Sequence, residues 1–278
     1  MRIFGIGCMH GSLVELTDFL SDSNVDLVLS LGDHCNGDEV RDIVFKNWER
    51  FKGEKYYEVM RELLGDNFLP TFRRFARSGR DVLQRLDNLG LPILAVQGNN
   101  DFSNRDREES QLNLTTYEES CNTSSNIVDI SGKVHNGGLN GREYAFVGVP
   151  FYRGVGVKEK TDPEWEERDF KMREKLKAAL PKTNGSKIVL VGHDMPYNCQ
   201  LDMIDYPTSP KHGQHVGDEI IREYILENHP MLYVGAHMHE WQDTCKIGKT
   251  SVIASGYGRE GKGVLIDLPY MSVKFVKL

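Results

Sequence analysis

The stretch "FGIGCMHGS" (residues 4–12) begins as a run of apolar and small residues and ends in a cysteine and a histidine two positions apart. An apolar run of this length followed by a Gly-Ser pair predicts a buried strand that stops near Cys8. The thiol and the imidazole of His10 then lie where the strand ends. They are either two ligands of one metal site or a buried thiol beside an unrelated histidine.

The same arrangement recurs after four later apolar runs. The runs at 26–32, 92–98, 187–192 and 231–235 are followed by Asp33, by Asn99 with Asn100, by His193, and by His237 with His239. Taken singly, such groups are typical of turns. In open α/β sheets, however, ligands bind at the carboxyl ends of strands. We therefore expect imidazole, carboxylate, amide and thiol groups to meet at one edge, as metal ligands do.

Further apolar and amphipathic patterns indicate an α/β fold. Additional strands are predicted at 143–149, 251–256, 263–268 and 272–278, and amphipathic helices at 12–21, 80–89, 164–180 and 217–228. The closely spaced last strands favour an antiparallel part. Two polar segments interrupt this pattern, a helical insertion at about 36–80 and a loop or lid at about 102–125. We expect one domain over 1–278.

Composition excludes several classes of protein. The 278 residues carry a net charge of −7, which does not favour nonspecific binding to nucleic acid. The five cysteines are scattered, so no disulfide framework is indicated. No stretch approaches the roughly 20 apolar residues of a membrane span. The N-terminus lacks the pattern of a signal peptide, and we expect a cytoplasmic protein.

The motifs "CMH", "GD", "GNND", "GH" and "AHMH" stand in a fixed order, each after a predicted strand. In this order the sequence resembles the calcineurin-like metallophosphoesterases, whose motifs are Asp-x-His, Gly-Asp, Gly-Asn-His-Asp/Glu, Gly-His and Gly-His-x-His. Residues 193–240 also resemble the C-terminal half of that family. The resemblance implies a four-layer α-β-β-α sandwich, in which two packed mixed β-sheets are flanked by helices.

The resemblance also implies a centre of two divalent metal ions, with manganese, zinc or iron as candidates. By that pattern Asp33 bridges both ions, Cys8, His10 and His239 complete one site, and Asn99, His193 and His237 complete the other. A metal-bridging hydroxide then attacks phosphorus in line, so no protein nucleophile is needed. Catalysis is expected to depend on His10, Asp33, Asn99 and His193.

Two residues depart from the family pattern. Cys8 stands in place of an aspartate. It is either a small buried hydrophobic residue or a thiolate ligand that favours zinc or iron, and we expect a ligand. Asn100 stands in place of a histidine, and an amide cannot act as the general acid for the leaving group. Three alternatives follow: either another group protonates the leaving oxygen, or the substrate has a good leaving group, or turnover is slow.

The expected activity is hydrolysis of a phosphoester, either as a phosphodiesterase or as a phosphatase. A phosphorylated small molecule or nucleotide is the expected substrate, with Asn100, Arg153, His212 and His215 as candidate substrate contacts. One alternative is a binding scaffold with little or no catalysis, because Cys8 and Asn100 depart from the pattern. A minor alternative is an enzyme similar to RNA lariat debranching phosphodiesterases, since "GCMHG" resembles their Gly-Cys-x-His-Gly turn.

Overall fold

The computed structural model describes residues 1–103, 112–139, 142–150, 163–183, 187–207, 209 and 211–278. The strands in these ranges are β1 (Arg2–Ile6), β2 (Leu27–Ser30), β3 (Ile93–Ala95), β4 (Ile127–Asp129), β5 (Val134–Leu139), β6 (Arg142–Gly148), β7 (Lys187–Val191), β8 (Leu232–Gly235), β9 (Thr244–Ile247), β10 (Thr250–Ala254), β11 (Lys262–Asp267) and β12 (Ser272–Lys277). The helices are α1 (Thr17–Asp22), α2 (Asp38–Lys46), α3 (Trp48–Gly53), α4 (Tyr56–Leu64), α5 (Phe68–Asp87), α6 (Tyr117–Thr123), α7 (Pro163–Ala179) and α8 (Glu219–Asn228).

The described strands form two six-stranded mixed sheets. The first has the order β12-β11-β1-β2-β3-β4 and the second the order β5-β6-β7-β8-β10-β9. In the first sheet β1, β2 and β3 are parallel, with Phe4 opposite Val28 and Val28 opposite Ile93. In the second sheet β6, β7 and β8 are parallel. The carboxyl ends of these strands therefore carry the loops in which the candidate ligands lie.

Three buried clusters separate four layers. Between the sheets, Leu29 and Leu94 of the first sheet pack with Phe146 and Val189 of the second. A second cluster joins the second sheet to α7 and α8, and a third joins the first sheet to α1, α5 and α6. The apolar runs are buried because each strand faces apolar side chains on both sides. The predicted α-β-β-α sandwich is confirmed.

The segment 36–80 is helical, and its aromatic side chains form a cluster of their own that includes Phe51, Tyr57 and Phe72. Its last helix, α5, packs against the loop after β2. Ser78 Oγ accepts the backbone N–H of Asn36 at 2.8 Å. At Gly79 a side chain would collide with Cys35 Sγ. The segment thus supports the loop that carries Asp33.

Three local expectations differ from the structure. The helix predicted at 80–89 is the end of the longer α5, and the one predicted at 12–21 is only Thr17–Asp22. The segment 102–125, expected as a loop or lid, contains α6, which begins with a capping box between Thr116 and Glu119. Residues 104–111 of that segment lie outside the described residues. Within the part of the chain that the structure describes, no helix has the length and apolar character needed to cross a membrane.

Candidate metal centre

The loops after β1 and β2 run side by side and carry three of the candidate ligands. The backbone N–H of Cys8 donates to Gly32 O at 2.9 Å, and that of His10 donates to Asp33 O at 2.9 Å. The N–H of Gly11 continues the pairing to His34 O at 2.7 Å. These bonds extend the contact of two parallel strands into their loops, so that Cys8, His10 and Asp33 are held together.

Left-handed backbone conformations aim several of these side chains. Cys8, His10, Asp33 and His237 have φ of 54°, 46°, 59° and 63°, a region that non-glycine residues rarely occupy. Such conformations cost free energy and cluster at functional sites. The loops after β2 and β3 also touch closely, because a side chain at Gly98 would collide with the backbone N and Oδ1 of Asp33. Close approach of the two loops therefore requires glycine at 98.

Asn99, His193 and His237 form one half of the site, here called the His193 half. His193 Nδ1 lies 2.7 Å from Leu31 O, so this nitrogen carries a proton and Nε2 faces the site. Around Nε2 lie Asn99 Oδ1 at 3.0 Å, His237 Nδ1 at 3.1 Å and Asp33 Oδ1 at 3.3 Å. Electron pairs thus converge on one point, which requires a proton or a cation between them.

The ionisation of His193 reflects the same demand for positive charge. Burial, the largest single influence, lowers the pKa of this imidazole, but the carboxylates of Asp33 and Asp194 and the bond to Leu31 O together raise the pKa of His193 to about 9. Burial also opposes ionisation of Asp33, yet His193 and the other imidazoles hold the pKa of Asp33 well below its ordinary value. The centre of this half therefore favours a cation.

Cys8, His10 and His239 form the other half, here called the Cys8 half. His10 Nε2 lies 3.1 Å from His239 Nε2, and the ring of His239 stacks on Tyr257 with a centroid distance of 4.0 Å. Burial lowers the pKa of both histidines, that of His239 to about 3. Two neutral imidazoles therefore face each other, and a cation would accept their electron pairs.

Cys8 belongs to both halves by position. Its sulfur lies within 4.8 Å of ligand atoms of His10 and His239, and also within 4.8 Å of those of Asp33 and His193. It accepts a hydrogen bond from the backbone N–H of His237 at 3.1 Å. Burial, and then the charge of Asp33, raises the pKa of the Cys8 thiol well above its ordinary value. Only a nearby cation would make this sulfur a thiolate.

Asp33 lies between the two halves. Its Oδ1 atom is 3.3 Å from His193 Nε2, and its Oδ2 atom is 3.6 Å from His10 Nε2. A carboxylate with one oxygen toward each half is the arrangement that a bridging ligand requires. The imidazole, thiol, amide and carboxylate groups gathered here are the donor types that hold divalent transition metals. The side chains therefore fit a divalent metal centre.

A buried carboxylate that the sequence analysis did not include in the site fixes the loop of Asp33. Asp101 accepts the backbone N–H groups of Asp33, His34 and Gly98 at 3.1, 2.7 and 2.8 Å. It also lies 3.0 Å from His34 Nδ1, while His34 Nε2 is 2.7 Å from Ser30 Oγ. The motif "GNND" and the histidine of "GDH" were the available signals for this network.

The candidate substrate contacts occupy different surroundings. Asn100 lies in the centre, where its backbone N–H and its side-chain Nδ2 donate to Asp33 at 2.6 and 2.9 Å. His215 is exposed and its Nδ1 lies 2.6 Å from Asp202 Oδ1, whereas His212 is exposed in the same loop. Arg153 lies outside the described residues. The structure thus brings the seven candidate ligands and Asn100 together.

Comparison with known proteins identifies the class. The profile of the calcineurin-like phosphoesterases matches residues 1–241. The chain belongs to the calcineurin-like phosphoesterase family. It is accordingly a metal-dependent hydrolase of phosphoric ester bonds. A search among curated proteins gave no match.

Solved structures share the fold at low sequence identity. The protein TT1561 of Thermus thermophilus has a TM-score of 0.62 and 15% identity, over 99% of this chain and 98% of that chain. A dimetal phosphatase from Danio rerio has a TM-score of 0.51 and 12% identity, over 100% and 98% of the two chains. Phosphopantetheinyl hydrolase from Mycobacterium tuberculosis has a TM-score of 0.50 and 16% identity, over 99% and 95%. At such identities the likeness shows the fold.

Proposed function

We propose that the protein hydrolyses phosphoesters at a centre of two divalent metal ions, one in the His193 half and one in the Cys8 half, bridged by Asp33. The observation that carries the proposal is the position of Asp33, whose two oxygens face His193 Nε2 at 3.3 Å and His10 Nε2 at 3.6 Å. When bound, two such ions would polarise a phosphoryl group and lower the pKa of a water shared between them.

The protein supplies orientation and charge to this centre. Leu31 O holds the ring of His193, so that Nε2 stays directed at the site. Asn99 and the histidines donate electron pairs without adding negative charge, while Asp33 and the Cys8 thiolate would add one negative charge each, fewer than the four positive charges of two divalent ions. The net charge thus stays positive where a phosphate would bind. Zinc or iron is favoured in the Cys8 half, because a buried sulfur is a soft ligand.

The leaving group receives no proton from Asn100. The amide of Asn100 is bound to Asp33, and an amide has no acidic proton at neutral pH. A general acid typically contributes about 10²–10⁴-fold to a rate. We therefore propose that the substrates are small phosphorylated molecules or nucleotides with good leaving groups, rather than esters of simple alcohols.

Metal analysis combined with turnover tests the proposal. Protein loaded with zinc, iron or manganese is expected to bind two ions and to hydrolyse bis(p-nitrophenyl) phosphate or p-nitrophenyl phosphate. A chelator should abolish the activity, and returning the metal should restore it. Stoichiometric metal with no turnover of any ester in a broad panel would instead favour a binding scaffold. Folded protein that binds no metal would contradict both.

A further inference from the structure

Three charged side chains meet beside the metal centre. Asp38 in the first turn of α2 accepts Arg41 Nη2 on Oδ1 at 2.9 Å and Arg259 Nη1 on Oδ2 at 2.5 Å. Arg41 belongs to α2, whereas Arg259 follows β10. Two guanidinium groups from distant parts of the chain thus share one carboxylate, and the three side chains together have a net charge of +1. Arg41 and Arg259 are here called the arginine pair.

Contacts on one side tie the arginine pair to the Cys8 half. The backbone N–H of Arg259 donates to the carbonyl oxygen of Cys8 at 3.2 Å, and that of Gly258 donates to Gly7 at 2.9 Å. Tyr257, two residues before Arg259, stacks on His239. Arg259 is therefore held at the edge of this half by its own backbone.

Contacts on the other side tie the arginine pair to Asp33. The backbone N–H of Asp38 donates to Asn36 Oδ1 at 3.1 Å. Gly37 lies so close to the amide of Asn100 that a side chain at position 37 would collide with Asn100 Oδ1. Asn100 in turn donates to Asp33. Arg41 and Arg259 thus lie beside the metal centre, next to the loops of Asp33 and Cys8.

The arginine pair has one carboxylate for two positive charges, whereas another arginine of the segment 36–80 has a carboxylate of its own. Arg74 of α5 faces one carboxylate, that of Glu39, at 2.9 Å. Beside the metal centre, by contrast, two arginines share Asp38. The side chain of Arg41 is 44% exposed and that of Arg259 is 36% exposed. A guanidinium has five N–H donors in a fork that matches phosphate oxygens, and each arginine gives one donor to Asp38 in these contacts.

We propose that Arg41 and Arg259 bind a second phosphate of the substrate, distinct from the phosphate that reacts. This inference rests on the proposed function for the site of reaction, and it adds the substrate class: phosphoesters that carry a further phosphate. Arginine suits this role because it binds phosphate with two parallel hydrogen bonds. Asp38 holds both guanidinium groups side by side, one on each of its carboxylate oxygens.

Two nucleotides that differ in one phosphate test the proposal. Calorimetry on metal-loaded protein would compare adenosine 5′-monophosphate with adenosine 3′,5′-bisphosphate. We expect the bisphosphate to bind at least about tenfold more tightly, because its second phosphate would accept hydrogen bonds from two charged groups. Arg259→Gln and Arg41→Gln should bring the ratio of the two dissociation constants close to one. The control Arg74→Gln should leave it unchanged, and Arg259→Lys should keep part of the preference.

Several results would overturn the proposal. Equal dissociation constants in the unaltered protein would do so, as would a ratio that survives in both Arg259→Gln and Arg41→Gln. A lower melting temperature with an unchanged ratio would assign the arginine pair a purely structural role. Because calorimetry requires no turnover, protein that prefers the bisphosphate yet hydrolyses no ester would contradict the proposed function and leave this inference standing.

Discussion

The two halves of the centre differ in how their ligands are held. In the His193 half, Leu31 O fixes His193 and Asp194 faces His237 Nε2 at 3.7 Å. In the Cys8 half, the buried Nδ1 of His10 has no hydrogen-bond partner among the described residues, and His239 is positioned by its stacking on Tyr257. Hydrogen bonds behind a ligand typically raise metal affinity. We therefore expect the His193 half to bind its metal more tightly.

Removing the group between the halves should have the largest effect. We expect Asp33→Ala to lose both metals, because Asp33 faces both halves and supplies the charge between them. Loss of several kcal/mol of charge stabilisation corresponds to a fall in kcat/KM of about 10³-fold or more. Metal content and hydrolysis of bis(p-nitrophenyl) phosphate would be measured together. Asp42→Ala, which alters an exposed carboxylate on α2, is the control.

One tightly bound metal remaining in Asp33→Ala would contradict a shared bridge. It would mean that one half assembles its ligands without the carboxylate, and the two halves would then be independent sites.

Matched histidine variants compare the halves directly. His193→Ala should lose the more tightly bound metal and lower kcat/KM by more than about 100-fold. Substitution of a residue that only supports a metal ligand typically costs up to about 100-fold, and loss of the ligand itself should cost more. His10→Ala should retain one metal, since the His193 half keeps all its hydrogen bonds. Metal titration of both variants would check this order. Retention of one metal by His193→Ala and none by His10→Ala would reverse the comparison.

A substitution at the carboxylate that supports the ligand-bearing loops should have an intermediate effect. Asp101→Asn removes acceptor capacity from the carboxylate that holds the backbone of Asp33, His34 and Gly98. We expect activity and metal affinity to fall by about 10–100-fold while the ligands themselves stay in place. Asp87→Asn, at a carboxylate that likewise accepts backbone N–H groups, those of Ser125 and Asn126 before β4, is the control. Equal effects of the two substitutions would assign Asp101 a merely structural role.

That the candidate ligands meet at one edge could be predicted from sequence, whereas the contacts that hold their loops could not. Each candidate ligand follows a buried run, and the carboxyl ends of parallel strands share one edge of a sheet. Asp101 acts on the backbone of Asp33 across 68 positions, and no periodicity marks such a contact. Helix α6 was missed for a related reason, because its polar, short sequence has no apolar stripe. The contact of Arg259 with Cys8 likewise depends on the packing of two sheets.

The most local change should alter only which metal binds. Cys8 is fully buried, and its sulfur lies within 4.8 Å of ligand atoms in both halves. Cys8→Asp replaces a soft sulfur with a hard oxygen, so we expect the preference of the Cys8 half to shift from zinc or iron toward manganese, while the His193 half keeps its metal. Competitive metal loading followed by elemental analysis measures the shift. Cys8→Ser, which keeps the size and removes the soft ligand, should lower zinc affinity without raising manganese affinity as far. Unchanged metal content in both variants would show that Cys8 is a buried hydrophobic residue, and the Cys8 half would then hold its metal through His10, His239 and Asp33 alone.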